Sequence, residues 1–262
     1  VVQSSDSITL SVADTVATIK LNRPSVLNAI DAGAARAFLS TLKSIADCSD
    51  VRAIVLRGEG RAFCAGGDVS RFGNGDPEAA IDEIITPFHE ALQLLNSLPQ
   101  PSVAAVHGAA AGAGFSLALA CDFAIATETA KFTLAYARIG ASPDGAATYH
   151  LPRIVGLRKA KELALLADTI DAAEALRLGL VNRVVPEAEF DSECARLATR
   201  LAAGPSTAYH RIRELLTSSF NRDLDAQLEA ERQAFKALSR TQDFREGVSA
   251  FLNKIPAQFK GH

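Results

Sequence analysis

The 262-residue sequence is bounded first by what it lacks. Hydrophobic residues make up 48% of it, yet no uninterrupted apolar run approaches the roughly 18 residues that a membrane-spanning helix needs. No basic-then-apolar leader opens the chain, so neither a span nor a secretory segment is expected. The four cysteines, Cys48, Cys64, Cys121 and Cys194, share no CxxC or Cys/His metal spacing. That scatter argues against a disulfide framework and a zinc site, and the expectation is small, reduced core thiols in a cytoplasmic protein that binds no metal. With 27 Lys+Arg against 30 Asp+Glu, the net charge of -3 leaves no electrostatic footprint for nucleic acid or an anionic membrane. Individual arginines and lysines can still meet a compact polyanionic ligand. Methionine is also absent.

What is present reads as an α/β core followed by a helical tail. "SITLSV" and "VATIKL" alternate in strand fashion around Ala-Asp-Thr, predicting a hairpin. After Arg23-Pro24, "DAGAARAFLSTLKSIADC" has helical spacing, "VRAIVLRG" is a short strand, and a long helix is predicted from about Pro77 to Leu98. "SVAAVHG" and "FAIAT" are buried-strand candidates on either side of "GAGFSLALACD", a helix opened by small residues. Strands alternating with helices imply parallel pairing through right-handed crossovers. From "DAAEALRLG", where Asp171 and Glu174 form a capping-box pattern, and after a strand at "VNRVV", the chain becomes amphipathic helices that need apolar partners. Residues 1–200 are therefore read as the core and 201–262 as a helical appendage, docked on this core or on another subunit.

Two glycine-bearing loops follow strands. The first, "FCAGGDVS", groups Ala65, Gly66, Gly67 and Asp68; the second, "VHGAAAGAGFSLALACD", has the form GxxxGxG. The second resembles a dehydrogenase cofactor loop. However, it lies outside the first βα unit, and no Tyr-x-x-x-Lys pair exists in the chain. Small residues that let a helix pack closely on a sheet explain part of it. The two loops together can aim two backbone N–H groups at one developing oxyanion, where removing a single donor costs roughly 3 to 4 kcal/mol. Asp144, in Ser-Pro-Asp-Gly, is read either as turn chemistry and a cap for the helix that follows, or as a catalytic base.

Taken in order, "RPSVLNAID", "GRAFCAGGD", "PQPSVAAVHGAAAGAGFSLALACDFAIATETAKFTLAYARIG", "LPRIVGLRKAKEL" and "DAAEALRLGLVNRVV" resemble the crotonase (enoyl-CoA hydratase/isomerase) superfamily, with similarity running from near Ser7 to the final "EGVSAFLNKIPAQFKG". The resemblance implies a crotonase-like spiral of ββα units with a C-terminal helical trimerisation region, trimers or dimers of trimers, and acyl-CoA thioester substrates. Coenzyme A would then be part of the substrate, with no tightly bound cofactor. By motif match, the oxyanion N–H groups would come from Gly67 and Ala113. The CoA nucleotide would lie near Arg23, Val26, Ala65, Gly66 and Asp68, with Phe251 and Lys254 reaching the CoA of a neighbouring subunit.

The departures from the family pattern bear on the reaction. Where the hydratases carry two glutamates, this chain has Ser116 and Tyr136. Hydration normally divides water activation and α-carbon protonation between two carboxylates, so a standard hydratase is not expected. Asp144 falls where, by resemblance, several isomerases and the aromatic acyl-CoA dehalogenases carry their functional aspartate. In pattern the chain most resembles the phenylacetate-pathway and Δ3-Δ2 enoyl-CoA isomerases. The expectation is an isomerase, of fatty or aromatic acid catabolism, that shifts a double bond or opens a ring epoxide with Asp144 as acid/base. The alternatives are a 4-chlorobenzoyl-CoA-type dehalogenase using Asp144 and His89, with Tyr136 where those enzymes have tryptophan, and a non-catalytic acyl-CoA-binding homologue. His89 also fits a half-buried helix histidine with no chemistry. Tyr136 can pack the acyl group or donate a hydrogen bond. The loop "SRFGNGDPEAAIDEI", which would shape the acyl pocket, has no distinctive chemistry.

Overall fold

Alternation at the start of the chain becomes a small antiparallel meander. In the computed structural model, which describes residues 2–4, 6–73 and 75–262, β1 (Val2–Ser4), β2 (Ile8–Ala13) and β3 (Val16–Leu21) pair in sequence. Asp14 and Thr15 both take positive φ, 47° and 65°, giving the two-residue turn whose twist matches a hairpin. Beyond β3 the pairing in the main sheet is parallel and the returns carry helices. Helix α1 (Ala32–Ala46) leads to β4 (Ala53–Gly58), and α2 (Pro77–Ser97) leads to β5 (Ser102–Val106). The short β6 (Ala109–Ala111) and α3 (Ala113–Ala120) precede β7 (Phe123–Thr127). Next come β8 (Lys131–Thr133), α4 (Ala147–Leu166), β9 (Ile170–Asp171), α5 (Ala172–Arg177) and β10 (Arg183–Val185). The tail is α6 (Glu187–Ala202), α7 (Ser206–Ser218), α8 (Leu224–Leu238) and α9 (Gln242–Asn253).

Among the described residues the main sheet has seven strands in the order β1-β2-β3-β4-β5-β7-β10, and β6, β8 and β9 form a second, three-stranded sheet. The apolar run of β4 is explained by burial on both faces. Ile54 and Leu56 face the core that holds α1 and α2, whereas Ala53 and Val55 face Phe190, Cys194 and Leu197 of α6. Helix starts follow the chemistry of their caps: Asp31, Asp76 and Asp171 each accept a first-turn N–H. The expected capping box is half made, because the Glu174 carboxylate pairs with Arg177 at 2.6 Å rather than turning back. The small sheet was not legible in the sequence, since its strands are two or three residues long and carry no periodic signal. Gly156, at φ 76° and ψ 157°, breaks α4.

Arg213 fastens the tail to the core. Its Nε lies 2.6 Å from Asp122 Oδ1, and its guanidinium donates to the carbonyls of Leu98 at 2.7 Å and Asn96 at 3.2 Å. Helices α8 and α9 leave Leu224, Phe235, Phe251 and Leu252 exposed. Of the segment expected to shape the acyl pocket, Asn74 lies outside the described residues.

Candidate active site

The two glycine loops meet at the ends of β4 and β5. Cys64 N–H donates to Ala109 O at 3.0 Å and Ala111 N–H donates to Cys64 O at 2.9 Å, so the loops run side by side. Gly114 makes that approach possible: a Cβ there would stand 2.2 Å from Cys64 O. Gly66 lies against Ala111 and Gly112, where its own Cβ would meet Ala111 O at 3.1 Å.

This contact brings two backbone donors into one region. Gly66 O accepts from Ile30 N–H at 2.8 Å and Asp68 N–H donates to Ile30 O at 2.9 Å. Strand geometry turns the intervening Gly67 N–H the other way. Ala113 opens α3, so its N–H has no intrahelical acceptor. Among the described residues neither N–H has a protein partner. The arrangement offers hydrogen bonds to an anionic oxygen at the start of a helix, where the dipole favours negative charge.

Beside these donors three side chains converge. Ser116 sits fully buried on the first turn of α3, and Tyr136 follows β8 with its phenol against Gly112. The Tyr136 hydroxyl donates to Asp144 Oδ1 at 2.5 Å and lies 3.1 Å from Ser116 Oγ. Ser116 Oγ in turn donates toward the Asp144 carbonyl at 3.0 Å. Burial and the Asp144 charge push the Tyr136 phenol well above its ordinary range, so it remains a protonated donor. Among the described residues nothing donates to the other Asp144 oxygen.

The Ser-Pro-Asp-Gly turn is not the helix cap that its composition allowed. Gly145 and Ala146 take φ 58° and 60°, and α4 begins only at Ala147 without a side-chain cap. The reason is direction: the Asp144 carboxylate faces Tyr136 rather than the first turn of α4. His89, half-buried on α2, accepts the Gly145 N–H on Nε2 at 3.1 Å. A ring nitrogen that accepts an amide N–H is unprotonated, which assigns the neutral ring its proton on Nδ1. Gly145 is a member of this network that sequence reasoning did not place in the site, because the Gly after Asp144 was read as turn chemistry; Ser116 was read only as the replacement of a hydratase glutamate, with no role of its own.

The expected CoA residues form a neighbouring patch. Arg23 pairs with Asp31 at 2.9 Å and Asp68 at 3.3 Å, and donates to Ala29 O at 2.5 Å. Ala65 N–H is tied to Leu27 O at 2.9 Å, and Val26 stands exposed on the adjoining turn. A hydrogen bond from Ser70, reinforced by Arg23, holds the Asp68 carboxyl below its usual range. Phe251 lies elsewhere, 84% exposed beside an apolar groove lined by Phe244, Val248 and Phe259, and Lys254 caps α9 in the left-handed conformation. Cys64, behind the loops, is driven by burial to a pKa of about 12 and offers no thiolate.

Comparison with known proteins fits this geometry. The sequence model described as enoyl-CoA hydratase/isomerase matches residues 11–262. A Rhodobacter capsulatus protein named "probable enoyl-CoA hydratase" is 40% identical over 97% of this chain and 98% of its own. The 1,2-epoxyphenylacetyl-CoA isomerase of Escherichia coli K12 is 37% identical over 94% of this chain and 95% of its own. A 4-chlorobenzoyl coenzyme A dehalogenase-2 of Arthrobacter is 34% identical over 96% and 92%. The crystal structure of an enoyl-CoA hydratase from Polaromonas superposes with a TM-score of 0.91 at 34% identity, covering 97% of this chain and 99% of that one. Hydratase, isomerase and dehalogenase all occur among these names, so the reaction has to be argued from the site.

Proposed function

This chain belongs to the enoyl-CoA hydratase/isomerase family, and from that premise we propose that it is an acyl-CoA isomerase in which Asp144 alone moves the proton. The observation that carries this reading is the 2.5 Å hydrogen bond to Asp144 Oδ1 from Tyr136, which stands at the place where the hydratase pattern has a glutamate. One carboxylate is oriented, and the two expected for hydration are replaced by Ser116 and Tyr136.

The chemistry needs no water. With the thioester carbonyl oxygen between the N–H groups of Gly67 and Ala113, the free oxygen of Asp144 takes a proton from C2 of a 3-enoyl thioester. The C–H electron pair spreads into a dienolate whose charge rests on the thioester oxygen, where the two donors stabilise it. The same carboxyl returns the proton to C4, leaving a C2=C3 double bond, and no atom is gained or lost. An epoxide of a ring-bearing acyl-CoA can use the same oxyanion donors and the same carboxyl. The Arg23, Val26, Ala65 and Asp68 patch is the proposed CoA nucleotide site. CoA enters as part of the substrate, with no other cofactor. The exposed apolar side chains of α8 and α9 support a trimer or a dimer of trimers, with Phe251 and Lys254 facing a neighbour's CoA.

The dehalogenase reading asks for an imidazole nitrogen free to take a proton from water. Both His89 nitrogens are committed while Gly145 N–H is bound, one as acceptor and one carrying the proton. The test is turnover of 3-enoyl-, 2-enoyl-, epoxyphenylacetyl- and 4-chlorobenzoyl-CoA by wild type and Asp144→Asn. Isomerised product that disappears in the variant supports the proposal. Full turnover by Asp144→Asn removes Asp144 as the base, chloride release puts the dehalogenase first, and binding without turnover favours a non-catalytic homologue.

A further inference from the structure

The peptide unit that joins Asp144 to Gly145 is held at both ends. Its carbonyl accepts from Ser116 Oγ at 3.0 Å, and its N–H donates to His89 Nε2 at 3.1 Å. The grip comes from two helices, α3 and α2, that approach the turn from different parts of the chain. It closes on a costly backbone, since Gly145 is followed by Ala146 at φ 60°, a left-handed conformation that disfavours a side chain. Within the turn the Asp144 carbonyl also accepts the Ala147 N–H at 3.2 Å, so Ser116 and His89 are the side chains that tie this peptide to α3 and α2.

The geometry points to His89 and Ser116 as a peptide clamp that presets the reacting carboxylate: positioning residues that act through the Asp144–Gly145 backbone and touch no substrate. This rests on the reading of Asp144 as the acid/base. Tyr136 fixes one oxygen of the carboxylate, and the clamp fixes the peptide from which that carboxylate hangs. Together they define where the free oxygen stands relative to the Gly67 and Ala113 donors. His89 therefore contributes a lone pair to a backbone amide and no proton to the reaction.

The role predicts a pattern that a base would not produce. A misplacement of about 1 Å can cost on the order of 100-fold in rate, so His89→Leu and Ser116→Ala are each expected to lower kcat by about 10- to 100-fold with KM for the thioester little changed. His89→Gln keeps an acceptor at similar reach and is expected to recover most of that loss, although a carboxamide cannot serve as a base. The experiment measures kcat and KM for these variants on the best thioester substrate, with thermal midpoints alongside and Asp144→Asn in the same assay. A folded His89→Gln as impaired as His89→Leu overturns the clamp, because the imidazole itself would then be acting. Full kcat in a folded Ser116→Ala or His89→Leu also overturns it. If His89→Leu does not fold, His89→Gln and Ser116→Ala decide by the same criteria. Should Asp144→Asn retain turnover, the isomerase reading fails; an inactive Asp144→Asn beside a fully active His89→Leu fails the clamp alone.

Discussion

Substituting Gly145 by alanine strains the clamp directly, with a single added carbon. A Cβ on Gly145 would stand 2.8 Å from Ser116 Cβ and 2.9 Å from Phe88 Cε1. Carbon atoms settle at about 3.5 to 4.0 Å, so Ser116, Phe88 or the turn must yield by roughly 0.7 Å or more. Phe88 is buried in the core and Ser116 lies inside α3, which leaves the turn as the softest of the three. Two terms add in stability: about 1 to 2 kcal/mol for a side chain in the left-handed region, and about 1 to 3 kcal/mol for overpacking. Movement of the turn breaks the hydrogen bonds to His89 and Ser116, and activity should fall by about 30- to 100-fold. Gly179→Ala separates the terms. Gly179 has a similar φ of 75°, but its Cβ would meet only Ile154 Cγ2, at 3.9 Å. That variant carries the backbone cost without the collision and lies outside the site. Steady-state turnover and urea unfolding of both variants check the reasoning. A folded Gly145→Ala whose turnover stays within about twofold of Gly179→Ala would refute it.

Two further outcomes follow from burial and pairing elsewhere. Arg213→Ala removes the cation beside Asp122, which keeps its Ser102 hydrogen bonds, and takes the guanidinium from the carbonyls of Asn96 and Leu98. Both charged side chains are largely buried, 16% and 20% exposed, and unfolding in urea should show a loss of about 3 kcal/mol; a loss below about 1 kcal/mol would mean the tail docks without this clip. Tyr136 holds its proton more tightly folded than unfolded. Its contribution to stability is therefore full below the ordinary tyrosine pKa of about 10 and is lost as pH rises through and beyond that value. The thermal midpoint of wild type relative to Tyr136→Phe should drop between about pH 8 and pH 10.5, and a constant difference would show that the phenol is not buried beside a charge.

Much of the frame was written in local pattern. Period-two alternation placed β2 and β3, the apolar runs of "AIVLRG" and "SVAAV" placed two central strands, helical spacing placed α1 and α2, and the Asp171–Glu174 capping pattern placed α5. These signals survive in the chain because they arise within a few residues of one another. Ordered motifs indicate the family, and the replacement of two glutamates by Ser116 and Tyr136 leaves Asp144 as the carboxylate to expect. The strands of the small sheet left no such trace, because pairing with distant segments makes them.

By itself, then, the sequence determined the α/β frame and the family, and it left Asp144 as the carboxylate to test. Only the tertiary structure decided which way that carboxylate faces and what holds it. It turned Asp144 from a helix cap into the acceptor of the Tyr136 proton, and His89 from a candidate base into an acceptor for Gly145 N–H. Ser116 and Asp144 are 28 residues apart, and His89 and Gly145 are 56 apart. Hydrogen bonds depend on a few tenths of an ångström and on the direction of a lone pair. Those quantities are set where α2, α3 and the Asp144 turn pack together, and no spacing along the chain encodes them.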